Sequence, residues 1–255
     1  MSAYPRMFAL LDVKRTAAGL PALQPLESYA PHPVLESGTG NEETRYRRLD
    51  DLAAQFADDV AWLNRPVEGL DVEDDFRSIK FVLGKGSFDD YGIEVRLEAT
   101  FRPSVPLALA DRCAWASFHV PGGNYRPELT PENEAWTIIR VMLEALQPVY
   151  AFTTLDTDSP ALPEDYAHFQ RPWSRGSSSF FLGPDLTRLI PGRLLDPENG
   201  FSHTERLGAG VWLTVARAAL FLLESDSEKA EAEQHHRATL PVWDFLESLS
   251  AETLL

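Results

Sequence analysis

Ile93-Glu94-Val95-Arg96-Leu97-Glu98-Ala99-Thr100-Phe101 is the stretch that decides the fold class. Ile93, Val95, Leu97, Ala99 and Phe101 fall on one side of an extended chain, and Glu94, Arg96 and Glu98 on the other. A two-residue period predicts a strand with one buried and one solvated face, as in an antiparallel sheet. Strands of parallel sheets are covered on both faces and read as continuous apolar runs. Upstream, Ile79 to Leu83 reads as a short apolar strand, joined to this one by the turn-rich run from Gly84 to Gly92. Phe8 to Val13, Cys113 to Val120 and Val149 to Leu155 read as further strands. Ser179 to Leu182, Arg193 to Leu195 and Gly210 to Ala216 are shorter candidates, although the apolar run from Val211 to Leu223 fits a helix as well.

Helical periodicity separates these strands. Between Glu42 and Leu63, Leu49, Leu52, Phe56, Val60 and Leu63 recur at three- and four-residue steps, with Asp50, Asp51, Asp58 and Asp59 largely on other faces. Thr130-Pro131 has the form of an N-cap and first helical residue. It precedes an apolar face of Ile138, Ile139, Met142, Leu143 and Leu146, which Pro148 ends. Asp226 to Ala238 reads as a charged helix, and Pro241 as the start of a last helix reaching Leu249. Residues 19–41 and 156–178, rich in Pro, Gly and Ser, read as loops. Strands and helices without regular βαβ alternation predict an α+β fold, mainly antiparallel sheet packed against several helices. The 255 residues fit one such domain, or two similar halves at about 1–150 and 151–255.

Acidic residues outnumber basic ones by 39 to 23, a net charge of −16. That balance repels nucleic acid and anionic lipid and speeds encounter with a cationic protein. Cys113 is the only cysteine, so no intrachain disulfide forms, as expected of a reducing compartment. The apolar run Met7 to Leu11 is too short for a signal-peptide core, and no stretch approaches the ~20 apolar residues that span a bilayer. The expected location is the cytoplasm.

Motifs for catalysis and cofactors are missing. The six histidines include no HExxH pair, and His235-His236 point about 100° apart on a helix, so no metal is expected. His119 lies before Pro121-Gly122-Gly123-Asn124, where backbone N–H groups could form an oxyanion hole, but no GxSxG nucleophile elbow accompanies it. Gly84-Lys85-Gly86-Ser87 lacks phosphate-loop spacing, and Gly208-Ala209-Gly210 lacks the third glycine of a dinucleotide fingerprint. No catalytic residue and no cofactor is therefore assigned. Trp115, Trp136 and Trp212 lie in apolar elements and are expected in the core, as is Cys113.

The candidate contacts are for a partner. Glu68, Asp71, Glu73, Asp74 and Asp75 put five acids in eight residues of a predicted loop, and Asp89-Asp90 add a second acidic turn. Tyr166 and Trp173 lie in a Pro-rich segment with Arg171 and Arg175, a composition found in interface hot spots.

The helix containing Trp136, the strand from Val149 to Leu155, Phe181-Leu182-Gly183, the run Gly208-Ala209-Gly210-Val211-Trp212-Leu213-Thr214 and an acidic C-terminal helix resemble bacterial polymorphic-toxin immunity proteins. The nearest group is the immunity protein 52 family. The resemblance spans residues 75 to 245 as an order of elements and transfers no functional residue. It implies a cytoplasmic α+β protein, of polymorphic-toxin or type VI secretion systems, that binds one cognate toxin and occludes its active site without catalysis of its own. The acidic balance makes a basic, nuclease-like toxin the expected partner. Two other readings stay open: a hydrolase using carboxylates and His119, and a structural or adaptor protein of a phage or secretion apparatus.

Overall fold

A computed structural model of the chain describes residues 6–26, 30–37, 40–43, 48–63, 77–84, 92–99, 112–119, 134–154, 179–196, 199–215 and 225–249. The strands are β1 (Arg6–Asp12), β2 (Ala30–Ser37), β3 (Gly40–Glu43), β4 (Arg77–Gly84), β5 (Gly92–Ala99), β6 (Cys113–His119), β7 (Tyr150–Thr154), β8 (Ser179–Leu182), β9 (Phe201–Leu207) and β10 (Gly210–Val215). They form one sheet in the order β3-β2-β4-β5-β6-β1-β7-β8-β10-β9. Every described pairing is antiparallel, so the fold is α+β as the alternation at Ile93 predicts. β1 lies between β6 and β7 and links strands from early and late in the chain.

Alternation along β1 divides the core into two layers. Met7, Ala9 and Leu11 face a cluster containing helices α1 (Val13–Gly19), α2 (Leu49–Leu63) and α3 (Glu134–Leu146). Phe8 and Leu10 face the other side, with α4 (Pro184–Leu189) and the C-terminal half of α5 (Asp226–Ser248). Strand residues that a one-sided sheet would leave wet are therefore buried. Trp136 and Trp212 are core residues as expected. The side chain of Trp115 lies outside the described residues.

Several elements depart from the sequence expectation. Residues 20–26 form a 3₁₀ segment and residues 30–37 are strand β2, not loop. Pro31 and Pro33 explain the difference. β3 pairs only with Val34 to Ser37, so both prolines sit where β2 has β4 as its one described neighbour, and a missing N–H is tolerated on an edge. The helix expected from Glu42 begins at Leu49, because Gly40–Glu43 pairs with β2. Arg193–Leu195, read as strand, belongs to a 3₁₀ turn. Gly210–Val215 resolves as strand. The charged helix and the last helix are one element, α5, which runs through Pro241. Burial of Val242, Trp243 and Leu246 against the sheet outweighs the roughly 3 kcal/mol that an interior proline costs. Thr130 and Pro131 lie outside the described residues.

Candidate interaction site

At the end of β1, Asp12 caps α1 by accepting a 2.9 Å bond from the Arg15 amide, and its other oxygen accepts 2.7 Å from Arg112 Nε. Asp185, in the first turn of α4, takes Arg15 Nη2 at 2.5 Å, and Arg188 Nη2 at 2.8 Å. Arg112 also reaches Asp185, at 3.5 Å. This cluster ties β1, α1, the start of β6 and α4 together across the rim of the sheet. Burial alone would raise the Asp12 carboxyl. The Arg112 hydrogen bond, the Arg15 amide and the two guanidinium charges outweigh it and hold Asp12 below its ordinary range. Every charge in the cluster has a counter-ion, so the arrangement is structural.

Cys113 follows Arg112 and is buried. Desolvation, with a smaller push from Asp12, raises its thiol to about 12, and Arg112 and Arg15 offset only part of that. A thiol held protonated at neutral pH is a core residue rather than a nucleophile. Among the described residues no group of three or more His, Cys, Asp or Glu side chains could hold a metal ion. The backbone of His119 is in β6 opposite Arg6 and Glu94, while its side chain and Pro121 to Asn124 lie outside the described residues. No described helix is long and apolar enough to cross a membrane.

A second polar cluster joins α3 to β9, and sequence reading missed it. Four helical residues rise about 6 Å and two strand residues about 6.8 Å, so residues four apart on a helix can meet alternate residues of a strand. Trp136 meets His203 edge-on at 4.9 Å, and Arg140 Nε donates to Glu205 Oε1 at 2.7 Å. Trp212 stacks beneath, 4.1 Å from Trp136 between ring centroids. His203 Nε2 is 3.4 Å from Glu205 Oε2. The one advance signal was the period-two spacing of His203, Glu205 and Leu207, hidden because the five polar residues from Ser202 to Arg206 resemble a loop.

The motifs that carried the family resemblance have packing roles. Gly208-Ala209 is a two-residue hairpin connection between β9 and β10, with Gly208 at φ +60, as a type II′ turn requires at its first position. A Cβ on Gly210 would lie 2.2 Å from the Phe181 ring, and one on Gly183 would lie 1.9 Å from the Pro148 carbonyl oxygen.

The predicted contact residues are not among those the structure describes. Glu68, Asp71, Glu73, Asp74 and Asp75, then Asp89 and Asp90, then Tyr166 and Trp173 all lie outside the described residues. What is described is the helix that precedes the first acidic stretch. α2 holds Asp50, Asp51, Asp58 and Asp59 and no Lys or Arg. It buries Leu52, Phe56, Val60 and Leu63 and exposes Asp50, Asp51, Ala54, Gln55, Ala57, Asp58 and Ala61. Arg48, just before the helix, pairs with Asp50. On the opposite layer α5 is also acidic, but Lys229 and Arg237 partly neutralise it through pairs with Asp226 and Glu233.

No protein-family profile matches the chain, and no curated protein matches it by sequence. Among solved structures, the chain is similar to the Pseudomonas aeruginosa T6SS protein PA0821. The two are 12% identical with a TM-score of 0.46, over 96% of this chain and 73% of that one.

Proposed function

We propose that this protein holds a basic protein partner, as an immunity protein holds its toxin, and performs no catalysis of its own. The observation that carries this reading is α2, whose apolar side is wholly used in the core. Its exposed side carries three aspartates, Asp50, Asp51 and Asp58, and the helix has no lysine or arginine. Such a face raises the local concentration of cations and steers a basic partner toward it, by about 10- to 1,000-fold in association rate where the charge match is good. In this reading the acids stand in for the phosphates that a nuclease cleft would otherwise hold. The acidic stretch Glu68 to Asp75, which follows α2 along the chain, extends the contact, and Tyr166 and Trp173 supply apolar anchors. The working compartment is the cytoplasm.

The test is co-purification with the C-terminal fragment of the protein encoded next to it, followed by association kinetics at several salt concentrations. A one-to-one complex that rescues cells from that fragment is expected. The variant Asp50→Asn/Asp51→Asn/Asp58→Asn should slow association about tenfold and flatten its salt dependence. A toxic fragment that never binds this protein sinks the immunity reading. Binding with an association rate indifferent to the three substitutions removes α2 from the interface.

A further inference from the structure

We propose that β9 pairs with the β9 of a second copy of this chain, antiparallel, across a two-fold axis at Thr204. β9 ends the sheet order, and β10 is its one neighbour among the described residues. A seven-residue strand whose outward N–H and C=O groups have no partner among the described residues is a template for pairing. The opposite end of the sheet, β3, is four residues long and carries Glu42 and Glu43, a short acidic edge that resists it.

Phe201-Ser202-His203-Thr204-Glu205-Arg206-Leu207 is self-complementary about its middle. A two-fold at Thr204 sets Glu205 opposite the partner's His203, Arg206 opposite the partner's Ser202, and Leu207 opposite the partner's Phe201. No like charges are opposed, and Thr204 meets Thr204. Thr–Thr pairs are among the cross-strand contacts that stabilise antiparallel sheets, and like charges directly opposed destabilise them.

The backbone has the parity this register needs. A two-residue hairpin loop is closed by a hydrogen-bonded pair, here Leu207 and Gly210. Bonding alternates from there, so Glu205 and His203 direct their backbone groups to β10, and Arg206 and Thr204 direct theirs outward. An axis at Thr204 therefore joins outward-facing residues to outward-facing residues, whereas an axis at His203 or Glu205 would join groups already used. Thr204 Oγ1 has no hydrogen-bond partner among the described residues.

Sedimentation equilibrium of the full chain across the micromolar range is the first test, with twice the 28.5 kDa chain mass expected at high concentration. Ser202 is exposed and forms a bulge opposite the Thr214/Val215 step, so Ser202→Arg gives up the 3.2 Å bond from its hydroxyl to the Thr214 carbonyl but replaces no buried side chain. It sets arginine against the partner's Arg206 and should weaken the dimer about tenfold. Adding Arg206→Glu should restore it. Independently of any variant, amide hydrogen exchange at Thr204 and Arg206 should slow as concentration rises. A protein that stays monomeric overturns the proposal. So does a dimer that ignores both variants and leaves those two amides unprotected.

Discussion

Gln147 donates through Nε2 to the Leu207 carbonyl at 2.8 Å, while its Oε1 accepts the Ala209 amide at 3.2 Å. One side chain at the end of α3 thus brackets the turn between β9 and β10. The same Nε2 reaches the last carbonyls of its own helix, at Leu143 and Glu144. The backbone of Gln147 is left-handed, at φ 44, a conformation usually left to glycine. The hydrogen bonds of the amide hold it there.

Gln147→Ala is therefore expected to destabilise the protein by about 2–3 kcal/mol, losing several bonds worth roughly 1 kcal/mol each. Gln147→Gly loses the same bonds but relieves the backbone, so its loss should be smaller by about 1 kcal/mol. Urea denaturation of both variants measures the difference. Equal losses would show that the left-handed conformation carries no strain.

Asp12 makes stability depend on acid. Its folded carboxyl titrates below its ordinary value, so its contribution is complete above about pH 4, the unfolded value, and fades as pH falls through the folded one. Asp12→Asn, which keeps a capping oxygen but removes the charge facing Arg112 and Arg15, should cost about 2–3 kcal/mol at neutral pH. The gap to the parent should close as pH drops toward 3 and below. A gap constant over that range would mean the charge contributes nothing.

Gly19 marks where α1 crosses α3. A Cβ there would lie 2.0 Å from the Ala145 carbonyl oxygen, and neither backbone can retreat without opening the layer. Gly19→Ala should cost roughly 3 kcal/mol, at the upper end of overpacking effects. Gly192→Ala has nothing within 4 Å of the added methyl and should change stability by less than about 0.5 kcal/mol. Thermal melts of the two variants side by side provide the check.

Cys113 should be silent to thiol reagents in the folded state. Its thiol is buried and raised to about 12, so reaction at neutral pH waits for unfolding. Labelling by an aromatic disulfide reagent should accelerate with urea in step with the loss of structure. Rapid labelling in native buffer would contradict the burial of this residue.

The elements legible in the sequence were those whose own pattern carries their environment. The alternation at Ile93 fits β5, and the three- and four-residue steps of Leu52, Phe56, Val60 and Leu63 fit α2. α1 and β9 were missed. α1 is seven residues long, and Asp12 starts it by capping, a role any aspartate in a turn could fill. β9 shows its apolar ends only once α3 supplies partners for His203 and Glu205 between them. Pro33 and Pro241 misled because the first was read as part of a loop and the second as the start of a separate helix, and each is tolerated by context: a sheet edge in one case, a buried helix face in the other. As for the site, the acidic excess was plain from composition, but α2 stood out only once the structure showed that its buried side leaves Asp50, Asp51 and Asp58 exposed, with Arg48 before the helix paired to Asp50.

The sequence by itself determined the antiparallel α+β class, the acidic surface and the absence of a disulfide, because period, charge and cysteine count are local properties of a chain. The tertiary structure alone decided that helices cover both faces of one sheet, that Asp12 meets Arg112 and Asp185, and that Gln147 brackets the β9–β10 turn. It also placed β9 last in the order of the described strands. Those relationships join residues far apart along the chain, and only strand order and layer packing bring them within hydrogen-bonding reach.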